Sequence, residues 1–189
     1  MCNYPDFVNK DKIECYPEKE KYRYYLKIDF VDIANTDKTV MIIMQNPSKA
    51  DKICSDKTVN RVLKCFHEFG YSKVIIMNII PFYATKIAHL SNAVLKEEDK
   101  INVNCEEIYK QSKLADKIFV AWGWASTISS CCYNKRVKQV KEVLEKIRAQ
   151  EDNKKEIVCY EINKSNGQPR HPRRWDKLKK ENEFVPFIY

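Results

Sequence analysis

The stretch KTVMIIMQNPSKAD, residues 38–51, carries five consecutive apolar residues, Val40 to Met44, and then stops at Gln45-Asn46-Pro47. A run this short, partly β-branched and closed by asparagine and proline, predicts a strand buried on both faces, of the kind found at the centre of a parallel sheet. The polar string that follows reads as a loop at the carboxyl end of that strand.

Working outward, residues 56–69 repeat Val59, Val62, Leu63, Phe66 and Phe69 at helical spacing. Ser55 or Asp56 serves as the N-cap and Gly70 follows the end, which predicts an amphipathic helix with start and stop signals. Residues 73–80 and 117–122 are again short, apolar and β-rich. Residues 99–115 and 136–150 have helical periodicity through Ile101, Cys105, Ile108 and through Val137, Val140, Leu144, Ile147, and residues 156–162 supply a fourth core strand. The order β-α-β-α-β-α-β implies right-handed crossovers. The expected fold is a three-layer α/β/α domain with a central, mostly parallel four-stranded sheet. Residues 22–30, which alternate aromatic and charged side chains, add a marginal N-terminal strand, and Phe184 to Tyr189 a marginal tail.

A chain of 189 residues, 44% hydrophobic and 12% aromatic, fits one domain over 1–189 with a core in 22–175, and no linker or repeat interrupts it. The longest apolar runs fall far short of the roughly 20 residues that cross a bilayer, and no secretory signal precedes the core, so a cytoplasmic protein without a membrane partner is expected. The eight cysteines are scattered and read as reduced core thiols. No Cys/His spacing suggests a metal, and no cofactor is expected. The net charge of +8 favours a polyanionic partner, although lysines spread over helices serve equally as a solvated surface.

In an open parallel sheet the ligand crevice lies beyond the carboxyl ends of the strands. Four polar loops are expected there. The first holds Gln45, Asn46, Ser48, Lys49 and Asp51; the second Asn78, Phe82 and Tyr83; the third Trp122-Gly123-Trp124; the fourth Arg170, His171, Arg173 and Arg174. Each has a plain structural reading beside the functional one. Asn46-Pro47 is also a turn signal, Asn78 needs a partner wherever it is buried, and Phe82, Tyr83 and the tryptophans also serve as packing, the latter two as core with satisfied N–H groups. His67 and His89 are read as structural. His171 stands between arginines in a loop stiffened by Pro169 and Pro172, where a neutral imidazole can donate to an anion while Arg170, Arg173 and Arg174 hold phosphates.

The strings Asn46-Pro47-Ser48-x-Ala50-Asp51, Asp56-x-Thr58-x-x-Arg61, Asn78 with Ala84-Thr85, Ala121-Trp122-Gly123 and Gly167-x-Pro169-Arg170-His171-Pro172 resemble the domain-of-unknown-function family 1643 over residues 22–175. Gln45 and Arg173 depart from that pattern, since apolar residues are expected at both places. More distantly, the same order is similar to the uracil-DNA glycosylase superfamily. That resemblance implies its fold and a set of roles: Asn46 orients an attacking water, Asn78 reads a base edge, Tyr83 or Phe82 stacks on the base, and His171 stabilises the departing base. The glycines around the first motif and the serine after His-Pro in that superfamily are absent here.

The expected function is recognition of a nucleobase or nucleotide, free or within nucleic acid, with N-glycosidic hydrolysis as the candidate reaction. Two alternatives stand beside it: a non-catalytic receptor or sponge for a nucleotide-derived signal, and a nucleic-acid-binding module acting through charge. The sequence carries no signal for oligomeric state.

Overall fold

The computed structural model describes residues 2–31, 36–83, 96–124, 129–150, 155–175 and 180–188. Ala84, Thr85 and His89 of the sequence reading lie outside these residues, as does Tyr189.

In chain order the regular elements are β1 (Glu14–Tyr16), β2 (Tyr25–Asp29), β3 (Thr39–Met44), α1 (Lys57–Glu68), β4 (Lys73–Asn78), α2 (Glu98–Ser112), β5 (Lys117–Val120), α3 (Ser130–Arg148), β6 (Glu156–Cys159) and β7 (Val185–Pro186). Among the described residues the strands form one seven-stranded sheet in the order β1-β2-β4-β3-β5-β6-β7. β3 pairs in parallel with both β4 and β5, and β6 pairs in parallel with β5. The outer pairings, β1 with β2, β2 with β4 and β6 with β7, are antiparallel.

The sheet is therefore mixed, and wider than the four mostly parallel strands expected. The reason lies at the margins. The segment read as one marginal strand over 22–30 is regular only over Tyr25–Asp29, and it sits second from the edge because Glu14–Tyr16 covers its outer side. Its inward side chains, Leu26 and Ile28, are fully buried although Lys27 and Asp29 alternate with them. At the other margin the tail contributes a two-residue strand whose companion Phe187 is buried edge-on against Trp122.

All six residues of β3 are buried. Alternation sends Val40, Ile42 and Met44 toward α1 and Met41 and Ile43 toward α2 and α3, so helices cover both faces. Each fully buried Ile, Val or Met contributes roughly 1.5–3 kcal/mol relative to an exposed one. The cysteines are all free thiols; Cys15, Cys65, Cys132 and Cys159 are buried as expected, whereas Cys131 is exposed. Among the described residues no helix is long and apolar enough to cross a membrane.

The register brings the loops level. Met44 of β3 lies opposite Asn78 of β4, and Ile43 opposite Val120 of β5, so three parallel strands end together. Because β2 runs the other way, its start arrives at that same edge and carries Arg23 with it. The first residues dock there too. Cys2 and Ser55 exchange backbone hydrogen bonds, Asn60 Nδ2 donates to the Asn3 carbonyl at 2.9 Å, and the Tyr4 hydroxyl donates to the Asp51 carbonyl at 2.6 Å.

Asp56 caps α1 as the sequence predicts: its Oδ1 accepts from the Thr58 and Val59 N–H groups at 2.7 and 2.9 Å. Its Oδ2 accepts from the Ser48 hydroxyl, tying the first loop to the helix start. Asp56→Ala should cost about 1 kcal/mol of stability, as cap removal does, read from the urea unfolding midpoint. Ser48→Ala should cost less, because it leaves the backbone bonds of the cap in place.

Candidate functional site

Beyond the ends of β3, β5 and β6 lies a cleft of about 520 Å³ lined by Gln45, Trp122, Gly123, Trp124, the turn 163–168 through Asn163, Asn166 and Gln168, and the segment Pro169, Arg170, His171, Arg173 and Arg174. Its size falls in the usual range for small-molecule sites. Of the residues proposed from sequence, Gln45, Arg170, His171, Arg173 and Arg174 are brought together on its wall.

The cleft is organised around Gly123. Its φ is +65°, its N–H donates to the Pro169 carbonyl at 2.8 Å, and its carbonyl accepts from the Tyr133 hydroxyl. A Cβ at this position would lie 2.7 Å from the Cβ of His171. Only glycine permits both the left-handed backbone and so close an approach. The two flanking tryptophans diverge. Trp122 is fully buried and its Nε1–H donates to Gln168 Oε1 at 2.9 Å, as expected for a core indole. Trp124, also expected in the core, is instead 45% exposed, because it lies beyond the end of β5 past the Gly123 turn, where its ring meets Tyr133 edge-on.

His171 precedes the short 3-10 turn Pro172–Arg174, and its Nδ1 accepts the Arg173 N–H at 3.1 Å. The neutral ring therefore carries its proton on Nε2. Burial, then the adjacent Arg173 charge, push its pKa down from 6.5 to about 4 against a smaller opposing pull from Asp56. At neutral pH His171 is a fixed neutral donor. Arg61 of α1 holds the turn from below: Nη1 donates to the Pro172, Arg173 and Trp175 carbonyls at 3.1, 3.1 and 3.3 Å. Arg173 and Arg174 are exposed and form no ion pair among the described residues, whereas Arg170 pairs with Glu161 at 3.0 Å.

The remaining sequence-proposed residues lie off the cleft wall. The half-buried Asn46 donates through Nδ2 to the Pro47 carbonyl at 3.0 Å, which is the turn reading. Lys49 and Asp51 are exposed; Asp51 Oδ1 accepts from the Ile53 and Cys54 N–H groups at 2.8 Å each. Asn78 is fully buried and shares the α1 side of the sheet with Val74 and Ile76. Its Oδ1 accepts from Arg23 Nη2 at 3.4 Å, and its Nδ2 has no partner among the described residues. Phe82 is core, packed edge-on against Tyr22. Tyr83 lies with its ring 6.0 Å from the Arg23 guanidinium, and burial pushes its hydroxyl pKa up to about 12.

Sequence reasoning missed Arg23, which is fully buried and donates through Nη1 to the Ala50 carbonyl at 2.5 Å. It also missed Asn163 and Asn166. Asn163 Oδ1 accepts from the Ser165 N–H at 3.0 Å and Asn166 Oδ1 from the Gln168 N–H at 3.1 Å. The one signal for these was the Asn-x-x-Asn-Gly spacing of a turn. Gln45 Nε2 is buried at the cleft without a partner among the described residues, an uncommitted polar group of the kind that a ligand satisfies.

Gly123→Ala should lose roughly 1–3 kcal/mol from backbone strain, plus the cost of displacing His171. Gly167→Ala is the control, since its φ is +66° but an added Cβ meets nothing within 4 Å. Equal losses in chemical denaturation would show that the Gly123–His171 contact carries no weight. For His171, between pH 6.5 and about 4 the unfolded chain binds a proton that the folded chain refuses. Its stability contribution is complete above pH 6.5, declines as pH falls toward 4 and then levels off. His171→Gln should flatten that part of the stability–pH profile.

No curated protein matches the chain, and no solved structure does. The family model described as protein of unknown function (DUF1643) matches residues 23–173, a span that takes in Arg23, both polar loops of β3 and β4, Gly123 and His171 through Arg173, and the chain belongs to that family.

Proposed function

We propose that the cleft recognises a nucleotide. The observation that carries this reading is the conjunction on one wall of a half-exposed indole, an uncommitted glutamine amide, a neutral imidazole donor and two arginines without carboxylate partners. An exposed tryptophan suits a base, since base–aromatic stacking contributes about 1–3 kcal/mol. Guanidinium groups suit phosphate, which they bind through paired hydrogen bonds.

A second reading, N-glycosidic hydrolysis, is favoured by one feature: the Nε2–H of His171 is available at neutral pH to stabilise a departing base. On this reading the resemblance to uracil-DNA glycosylases extends to mechanism only if Asn46 leaves Pro47 to orient water and Asn78, now fully buried and off the cleft wall, is uncovered to engage the base. Without turnover, the same cleft acts as a receptor or sponge.

The test is calorimetric titration with nucleobases, nucleosides and nucleotides, run beside chromatographic detection of free base from nucleotides and from uracil-containing single- and double-stranded DNA. Nucleotide binding that weakens about tenfold or more in Trp124→Ala supports recognition. Free-base release abolished in His171→Ala, with binding largely retained, supports hydrolysis. Binding of polymer alone, steeply weakened by salt and indifferent to Trp124→Ala, overturns the nucleotide reading in favour of a charge-driven module.

A further inference from the structure

Around the cleft, positive charge is compensated unevenly. Arg23, Lys49, Arg61, Arg173 and Arg174 belong to, or pin, the two loops that meet at His171, and the carboxylates in the same loops are Asp51 and Asp56. Arg170 is cancelled by Glu161 at 3.0 Å, and Lys52 of the first loop by Glu18 at 3.5 Å. Among the described residues none of the five cations pairs with an acid. Arg23, fully buried, is met by the Ala50 carbonyl and the Asn78 amide, with its Nε unpartnered; Arg61 is met by three carbonyls. Both aspartates are spent on backbone N–H groups, and Asp56 also on Ser48.

A buried guanidinium without a counter-charge is costly, because it cannot shed its proton. Five cations set against two carboxylates leave a surplus of three charges. One terminal phosphate carries about 1.5 to 2 negative charges at neutral pH, so a monophosphate leaves the surplus unfilled.

We propose that the ligand of this cleft is a nucleoside polyphosphate, whose phosphate chain lies along Arg173 and Arg174 within the field of the uncompensated arginines. This rests on the nucleotide reading above and specifies its ligand class. Arg173 and Arg174 touch the phosphates. Arg61 and Arg23 are positioning residues: one fixes the turn that bears the two arginines, the other fixes Ala50 and orients the Asn78 amide with its oxygen toward the guanidinium, since arginine only donates.

The experiment is calorimetric titration of the full chain with one nucleoside and its mono-, di- and triphosphate, at two salt concentrations, with inorganic tripolyphosphate as competitor. Each added phosphate is expected to tighten binding, with at least tenfold between mono- and triphosphate, and tripolyphosphate is expected to compete. Arg173→Ala and Arg174→Ala should each erase most of that gain and lower the salt slope while leaving nucleoside affinity unchanged. Because Arg61→Ala can loosen the fold, Arg61→Lys is measured beside it. A positioning role predicts that lysine restores part of the triphosphate affinity at unchanged nucleoside affinity. Equal binding of mono- and triphosphate overturns the polyphosphate proposal and leaves the nucleotide reading standing. Tripolyphosphate binding to which no base adds affinity overturns the nucleotide reading and leaves the phosphate grip.

Discussion

The burial of β3 on both faces is the constraint from which the rest follows. After Thr39 the strand runs through five buried apolar residues, Val40 to Met44, so Gln45 is the first polar side chain at its carboxyl end, and the register with β4 and β5 brings their own strand ends to the same level. The cleft forms there because the sheet can tolerate polar groups only where its ladders stop. Its walls are then made rigid by contacts that involve little apolar area: a glycine pressed against His171, a guanidinium under three carbonyls, and a carboxylate on two helix N–H groups.

That rigidity has an electrostatic side. Arg23 and Arg61 are held by carbonyls and an amide, which fix their positions without neutralising them, whereas many surface lysines pair with glutamate or aspartate, as Lys117 does with Glu156 and Glu181. His171 is subject to the same field. With Arg173 adjacent and water partly excluded, it stays neutral across the physiological range and serves as a donor of fixed direction rather than as a proton carrier.

Much of this was legible in the sequence because it rests on periodicity. The alternation of apolar runs with amphipathic helices gave β3 to β6 and the first two helices within a few residues, and Asp56 and Gly70 marked α1 at both ends; the third helix, expected from residue 136, starts at Ser130. Gln45, Arg170, His171, Arg173 and Arg174 could be grouped because strand ends collect at one edge of a parallel sheet. What escaped notice depends on tertiary context. Arg23 looked like the polar half of a half-exposed strand, and only the antiparallel direction of β2 carries it inward beneath Ala50. Trp124 looked like core by residue type, yet its exposure depends on a backbone turn that residue type does not encode. The short strands Glu14–Tyr16 and Val185–Pro186 are too brief to show a period at all.

The docking of Cys2, Asn3 and Tyr4 onto residues 51–60 gives the borders of the folding unit a different meaning from the borders of the shared family region, which begins at residue 23. The opening residues act as a strap across the polar loop, and Phe184 and Phe187 act as a plug at the far margin of the sheet. A chain cut back to the shared region would lose both fasteners, and Arg174 with them, while keeping every other group of the cleft. Its loops would then hold most of the right chemistry without the fasteners at either margin, and recognition would suffer from slack as well as from the one missing arginine.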